Sequence, residues 1–187
     1  HAPEQLTLLE VGCADGIVIG EIGKEFPLAF TKLTGIDTAR AMIEEARRKN
    51  VLLNAEFCIR SEYAGGPVYV IVETGVINYA SFEEEIAFVL ENLKTGGYYI
   101  FSIAGTDSLL NRLKPEGDFN DFRSYAEYDR LIREKFDVRL VRGCGFFIPL
   151  LWRVPVLARL VQAAVDPVAG FFLSGFCHEK VYCVQKK

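Results

Sequence analysis

Leu6-Thr7-Leu8-Leu9-Glu10-Val11-Gly12-Cys13-Ala14-Asp15-Gly16-Ile17 is an apolar run that stops at a glycine turn and restarts as a helical pattern. Leu6 to Val11 is short, nearly unbroken and closed by Gly12, which is how a strand buried on both faces of a parallel sheet reads. Beyond the turn, Ile17, Val18, Ile22 and Phe26 recur at helical intervals up to Pro27. Proline disfavours the helical region for the residue before it, so a helix ends there. Strand, small-residue turn and helix in that order set the expectation of a doubly wound α/β sheet, with ligands beyond the carboxyl ends of its strands.

The rest of the chain repeats the alternation. Ala29 to Ile36 reads as a second strand ending at Asp37, and Thr38 to Lys49 as a helix capped by Asp37 or Thr38. A third strand falls within Val51 to Ile59, a fourth at Val68 to Glu73, and a fifth at Tyr98 to Ile103 behind the Gly96-Gly97 turn. Ser81 caps a helix running to Leu93. After a polar loop from Gly105 to Asn120 come a helix at Phe122 to Glu134 and two last strands, Phe136 to Arg142 and Lys180 to Val184, the final one antiparallel. Seven strands result. Only Ser61 to Pro67 separates a third strand ending near Arg60 from the fourth. A return of about 17–20 Å plus a sideways crossing nearly exhausts ~3.3 Å per residue. Either that strand ends earlier, near Phe57, or the crossing carries no helix.

The turn is built for a ligand, but not for a phosphate-rich one. Small residues at Gly12, Ala14 and Gly16 let backbone approach a bound molecule at a helix start. The spacing is not G-x-G-x-x-G, since the next glycine is Gly20, and no G-K-[ST] follows. Asp15 inside the turn opposes a pyrophosphate by direct charge and favours a cationic ligand. S-adenosylmethionine has an amino group, a sulfonium and no phosphate.

At these residues the chain resembles the class I S-adenosylmethionine-dependent methyltransferases. Leu8-Leu9-Glu10-Val11-Gly12-Cys13-Ala14-Asp15-Gly16 is similar to their first motif, with Ala14 in place of the middle glycine. Leu33-Thr34-Gly35-Ile36-Asp37 resembles their second-strand end, and Leu93-Lys94-Thr95-Gly96-Gly97-Tyr98-Tyr99-Ile100 their turn into the fifth strand. The resemblance spans nearly the whole chain. It implies a seven-stranded, mostly parallel sheet with helices on both faces, and S-adenosylmethionine as cofactor. Glu10 and Gly12 would hold the methionine end, with Asp15 near the amino group and Cys13, Ala14 and Gly16 also against the cofactor. Asp37 follows Gly16 at about the ~20 residues expected of a ribose-binding acid, and Thr38 stands beside it. Arg60-Ser61-Glu62 occupies the position of the family's adenine-contacting acid, so Ser61 or Glu62 would substitute. Thr74 and Gly75 would flank the cofactor, and Asn78 and Tyr79 would orient an acceptor. The blander readings are a tight turn without ligand, a helix cap at Asp37, and core at Val76 and Ile77.

No general base stands out. Asp107, Tyr79 and Tyr98 are candidates by position only, and His178 reads as a strand-edge residue; methyl transfer can proceed by alignment alone. The five cysteines, Cys13, Cys58, Cys144, Cys177 and Cys183, form no C-x-x-C or His-Cys cluster, so no metal is expected and a reducing, cytoplasmic setting is. No secretory leader is read at the start, because the first apolar run carries Glu10. A net charge of −4 on 187 residues favours a small-molecule acceptor over nucleic acid, and the length suits one domain, 1–187.

One stretch is left over. An apolar helical insertion at about 145–178, broken by Arg153, Arg159 and Asp166, lies between the last two strands and is too interrupted to span a bilayer. From Pro155 onward it is amphipathic. It reads as a helix closing the core or a homodimer contact, ahead of membrane attachment, because only two arginines mark its polar side. The functional version is a lid or apolar wall for a hydrophobic acceptor, with Trp152 in it. The leading expectation is methyl transfer to a small acceptor of apolar character. The competing ones are a methyltransferase-like binding or assembly module without turnover and, less favoured, a nucleotide-dependent oxidoreductase with a degenerate turn.

Overall fold

A computed structural model describes residues 6–51, 53–113, 119–145, 160, 161, 163, 168 and 170–187. Seven strands form one sheet: β1 (Leu6–Val11), β2 (Phe30–Asp37), β3 (Ala55–Ile59), β4 (Val68–Glu73), β5 (Leu93–Ala104), β6 (Phe136–Cys144) and β7 (Glu179–Lys186). Their order across it is β3-β2-β1-β4-β5-β7-β6. The first five run parallel, and β7 is antiparallel to both its neighbours. The seven strands, the parallel body and the antiparallel last strand agree with the sequence expectation.

The order reverses between β1 and β4, and each side of the sheet carries its own helices. Leu8, Leu33, Phe57 and Val72 pack against α1 (Ile17–Glu25) and α2 (Arg40–Lys49). Leu9, Val11, Ile36, Ile71, Tyr99 and Phe101 pack on the opposite face against α3 (Phe82–Asn92) and α5 (Tyr125–Lys135). Alternate residues of one strand thus feed two cores, as the two-residue period requires. Across β5 and β7, Phe101 stacks on Tyr182 with centroids 5.2 Å apart, and Tyr99 stacks on Phe101 at 4.3 Å.

Several boundaries moved for local reasons. α2 starts at Arg40 rather than Thr38 because Asp37 Oδ1 accepts the Ala39 N–H at 2.8 Å, which holds residues 37–39 as a turn. α5 starts at Tyr125 because Ser124 and Glu127 form a reciprocal capping box. The short α4 (Leu109–Leu113) lies within the stretch expected to be loop. β5 begins at Leu93, which pairs with Val68, and Gly96 at φ 76° carries the chain through an irregularity before the regular ladder resumes at Tyr98.

The third crossover contains no α-helix. β3 runs to Ile59, a 3-10 turn takes Arg60–Glu62, and residues 63–67 return without regular structure to β4. Of the two alternatives the residue count allowed, this is the helix-less crossing. A groove of about 470 Å³, lined by Lys32, Thr34, Glu56 and Cys58 among others, opens beside this strap.

α1 differs most from its apolar spacing. Ile17 is 61% and Phe26 58% exposed, while Ile19, Gly20 and Gly23 are buried. A Cβ on Gly20 would stand 2.6 Å from Asn50 Oδ1, and one on Gly23 2.2 Å from Leu53 Cδ2. The helix is pressed onto the sheet through its glycines, a contact that apolar periodicity does not register.

Candidate functional site

β1 ends between Ile36 and Glu73 of its two neighbours, and the turn behind it is strongly bent. Gly12 has φ 67° and Gly16 φ 76°, and Ala14 shares the left-handed region at φ 44°. That region costs an L-residue roughly 1–2 kcal/mol, so Ala14 sits where glycine would be unstrained. A Cβ on Gly12 would lie 2.3 Å from Val76 Cγ2. The loop after β4 is therefore seated directly on the turn.

The backbone donors of the turn are largely consumed inside the protein. Cys13 N–H donates to Ile36 O at 3.0 Å, Ala14 N–H to Asp37 Oδ2 at 2.9 Å, and Gly16 N–H to Cys13 O at 2.8 Å. In the first turn of α1, Ile19 N–H donates to Glu10 Oε2 at 3.0 Å. A phosphate-binding turn aims such groups at its ligand; here two carboxylates hold them. The argument against pyrophosphate stands, but on Glu10 and Asp37. Asp15, expected to supply it, is held by Lys49 Nζ and lines a small cleft with Gly16, Gly20 and Asn50. An ammonium against that carboxylate cancels the charge on which the sequence reading relied.

Glu10 is almost fully buried, and burial pushes its carboxyl up to about 7 against the opposing Ile19 hydrogen bond, with the Asp15 and Asp37 charges adding to the rise. Its visible contact is with α1, so it clamps the helix start to the strand end. The Cys13 side chain turns into the α1–α2 core, and burial pushes its thiol up to about 12, which keeps it from acting as a thiolate.

Asp37 keeps acceptor capacity beyond its contacts within the fold. It is partly exposed at the end of β2, and each carboxylate oxygen accepts one backbone N–H, from Ala14 and from Ala39. A carboxylate offers about four acceptor positions, so two remain beyond those contacts, one on each oxygen. Next to it, Thr38, Ile59, Arg60, Ser61 and Phe88 line a slot of about 410 Å³. The structure thus brings Thr38 and Ser61 together. Glu62 is set apart, paired with Arg40 at 3.4 Å and lining the larger groove by the strap.

Thr74 and Gly75 are exposed beyond β4. Gly75 N–H donates to Ser102 Oγ at 2.9 Å, and nothing lies within 4 Å of where its Cβ would be. Asn78 corrects the sequence reading. It is buried, its Nδ2 donates to Ala104 O, Asp121 O and Tyr128 Oη, and its Oδ1 accepts from Ala104 N, so its amide is occupied in joining β5 to the following loop. Tyr79 is half-exposed, edge-on to Phe119 at 5.1 Å. Tyr98 stands at the amino end of the β5 ladder, away from this rim, and Asp107 accepts the Tyr125 N–H at 2.9 Å. His178 is at the rim, its Nδ1 buried without a hydrogen-bond partner among the described residues. Trp152 lies outside the described residues.

One cluster had no counterpart in the sequence reading. Glu73, fully buried at the end of β4, accepts a hydrogen bond from Tyr99 Oη, and burial pushes it up to about 7. Glu85 of α3 lies nearby, paired with Arg60 at 2.7 Å, and Glu73 Oε1 and Glu85 Oε2 find no hydrogen-bond partner among the described residues. The available signal was an acid closing an otherwise apolar strand. Among the described residues no group of three His, Cys, Asp or Glu side chains could hold a metal, and no cysteine is in a disulfide.

No protein-family model and no curated protein matches the sequence. Solved structures do match its fold. The putative methyltransferase of Haloferax volcanii, in complex with the Trm112 methyltransferase activator, is similar with TM-score 0.69 and 15% identity, over 98% of this chain and 83% of that one. An S-adenosylmethionine-dependent methyltransferase from Mesorhizobium loti gives 0.66 and 13%, over 100% and 93%. Geranyl diphosphate C-methyltransferase from Streptomyces coelicolor, with Mg2+, geranyl diphosphate and S-adenosyl-L-homocysteine, gives 0.68 and 14%, over 99% and 74%. Strand order, the antiparallel β7 and the helices on both faces make this the fold of the class I S-adenosylmethionine-dependent methyltransferases.

Proposed function

We propose that the chain binds S-adenosylmethionine across the carboxyl ends of β1, β2 and β4 and transfers its methyl group to a small acceptor of apolar character. The observation that carries this is Asp37. Its carboxylate is oriented by two backbone N–H groups, keeps acceptor positions for a pair of ribose hydroxyls, and adjoins the slot between Thr38 and Ser61. The slot gives an adenine an apolar wall in Ile59 and Phe88 with polar atoms at its edge. The open side of Gly75 leaves room for the methionine end beside the turn, and the two carboxylates at the turn disfavour an anionic cofactor.

When bound, S-adenosylmethionine supplies an electrophilic methyl on a sulfonium. The chain's own part is to hold the ribose at Asp37, keep the turn in one conformation through Glu10, and leave the rim beside Thr74 and Gly75 open to an acceptor. Alignment of this kind supplies much of a displacement barrier, and no residue is assigned as base. The binding or assembly module without turnover is the second reading, and the likeness to a methyltransferase held with its activator gives it an observation.

Methyl-labelled S-adenosylmethionine incubated with the chain and a whole-cell extract separates the two. Label in the organic phase is expected. A labelled product found only in the aqueous phase contradicts an apolar acceptor, and no labelled product beyond the donor itself in either phase, with the cofactor bound, contradicts turnover.

A further inference from the structure

The two ends of the insertion between β6 and β7 lie at the same rim as the site. Cys144 and Ala104 both pair with Glu179, so the chain leaves and re-enters the sheet at the carboxyl end of β5. Its return is firmly seated. Gly170 rests on the Gly143 carbonyl, where a Cβ would lie 2.2 Å away, Cys177 is fully buried, and Tyr125 Oη donates to Cys177 O and His178 O at 3.1 and 2.8 Å. On this anchored backbone Val168, Phe171, Phe172, Leu173 and Phe176 are between 44% and 75% exposed. Scattered apolar side chains are ordinary on a surface; five within nine residues, three of them phenylalanines, form a patch that marks an interaction.

The geometry points to a lipid bilayer with anionic headgroups as the occupant of this patch, so that the rim meets an apolar acceptor where that acceptor is dissolved. Arg142 is exposed at the patch with its guanidinium 4.6 Å over the Phe171 ring, and the described residues of 160–178 carry no carboxylate. Hydrocarbon side chains beside a cation with no ion pair among the described residues match acyl chains beneath phosphate. A second copy matches less well. A two-fold contact places the same patch on both sides, so each Arg142 would meet a surface whose described residues of 160–178 offer it no carboxylate. The sequence alone ranked a core-closing helix or a dimer contact ahead of membrane attachment on the small number of arginines; the outward phenylalanines at the rim reverse that order. The acceptor's class rests on the methyl-transfer reading, while the docking does not.

Vesicle flotation tests it, with phosphatidylcholine alone and mixed with phosphatidylglycerol. The natural chain is expected to float with the mixed vesicles. Phe171→Ser with Phe172→Ser, both at exposed positions, should lower partitioning at least roughly tenfold, the scale of losing one buried phenylalanine. Arg142→Gln should bring binding to mixed vesicles down toward that on phosphatidylcholine alone. Undiminished binding by these variants overturns the proposal. So does a natural chain that floats with neither vesicle, and if that chain sediments as a dimer which the Phe172→Ser variant breaks, a second copy is the occupant. S-adenosylhomocysteine titrated without lipid keeps the readings apart: its failure removes the cofactor and leaves docking, whereas vesicle failure with intact cofactor binding removes docking alone.

Discussion

At the scale of single residues, the buried carboxyls at the strand ends set how the protein responds to pH. Glu10 and Glu73 are both pushed by burial from the ordinary 4.5 to about 7. Below 4.5 the folded and unfolded chains both hold these protons. Between 4.5 and 7 the unfolded chain has released them and the folded chain has not, so rising pH lowers stability across that window and the loss is complete above it. Glu83 and Glu127, held low by Arg123 and Ser124, act below the window. The urea midpoint should therefore fall from pH 5 to pH 7, and Glu73→Gln, which cannot ionise, should flatten part of the fall. A midpoint that is level or rising in the natural chain contradicts the raised values. What the sequence could and could not reveal divides at this scale too. The place of Asp37 at the end of β2 was legible because an apolar run closes there ahead of a helical pattern. The direction of Asp15 was not, because it is decided by Lys49, 34 positions away and brought near only by α2.

At the scale of elements, the parallel strands were readable because each is a short apolar run closed by a turn, and the missing helix of the third crossover was one of the two outcomes that chain reach allowed. Helix faces were less readable. α1 shows an apolar stripe but buries its glycines, since close approach to Asn50 and Leu53 decides its packing. α5 is the opposite case. Its start is written locally, with Ser124 Oγ accepting the Glu127 N–H and Glu127 returning to the Ser124 N–H at 3.0 Å. Removing one N-cap oxygen typically costs about 1 kcal/mol. Ser124→Ala should lower unfolding free energy by about that much in denaturant titration, with the slope against denaturant unchanged. No loss would mean that tertiary contacts of Tyr125 and Tyr128 fix the helix start without the cap.

At the scale of the molecule, one sheet serves three purposes at its carboxyl rim. β1 and β2 bring the glycine turn to Asp37, β4 and β5 hold the Thr74–Asn78 loop through Ser102 and Ala104, and β6 and β7 carry the apolar patch to the same edge. That convergence was partly visible in the order of motifs. It was hidden where side-chain direction mattered, as at Asn78, whose amide joins elements rather than facing an acceptor. The central claim is that Asp37 receives the ribose of S-adenosylmethionine. Calorimetric titration with S-adenosylhomocysteine tests it most directly, comparing the natural chain with Asp37→Asn and using thermal melting to verify that the variant is folded. The account predicts binding by the natural chain and at least a tenfold loss, about 1.4 kcal/mol, in the folded variant. No binding by the natural chain, or equal affinity in both, would contradict it.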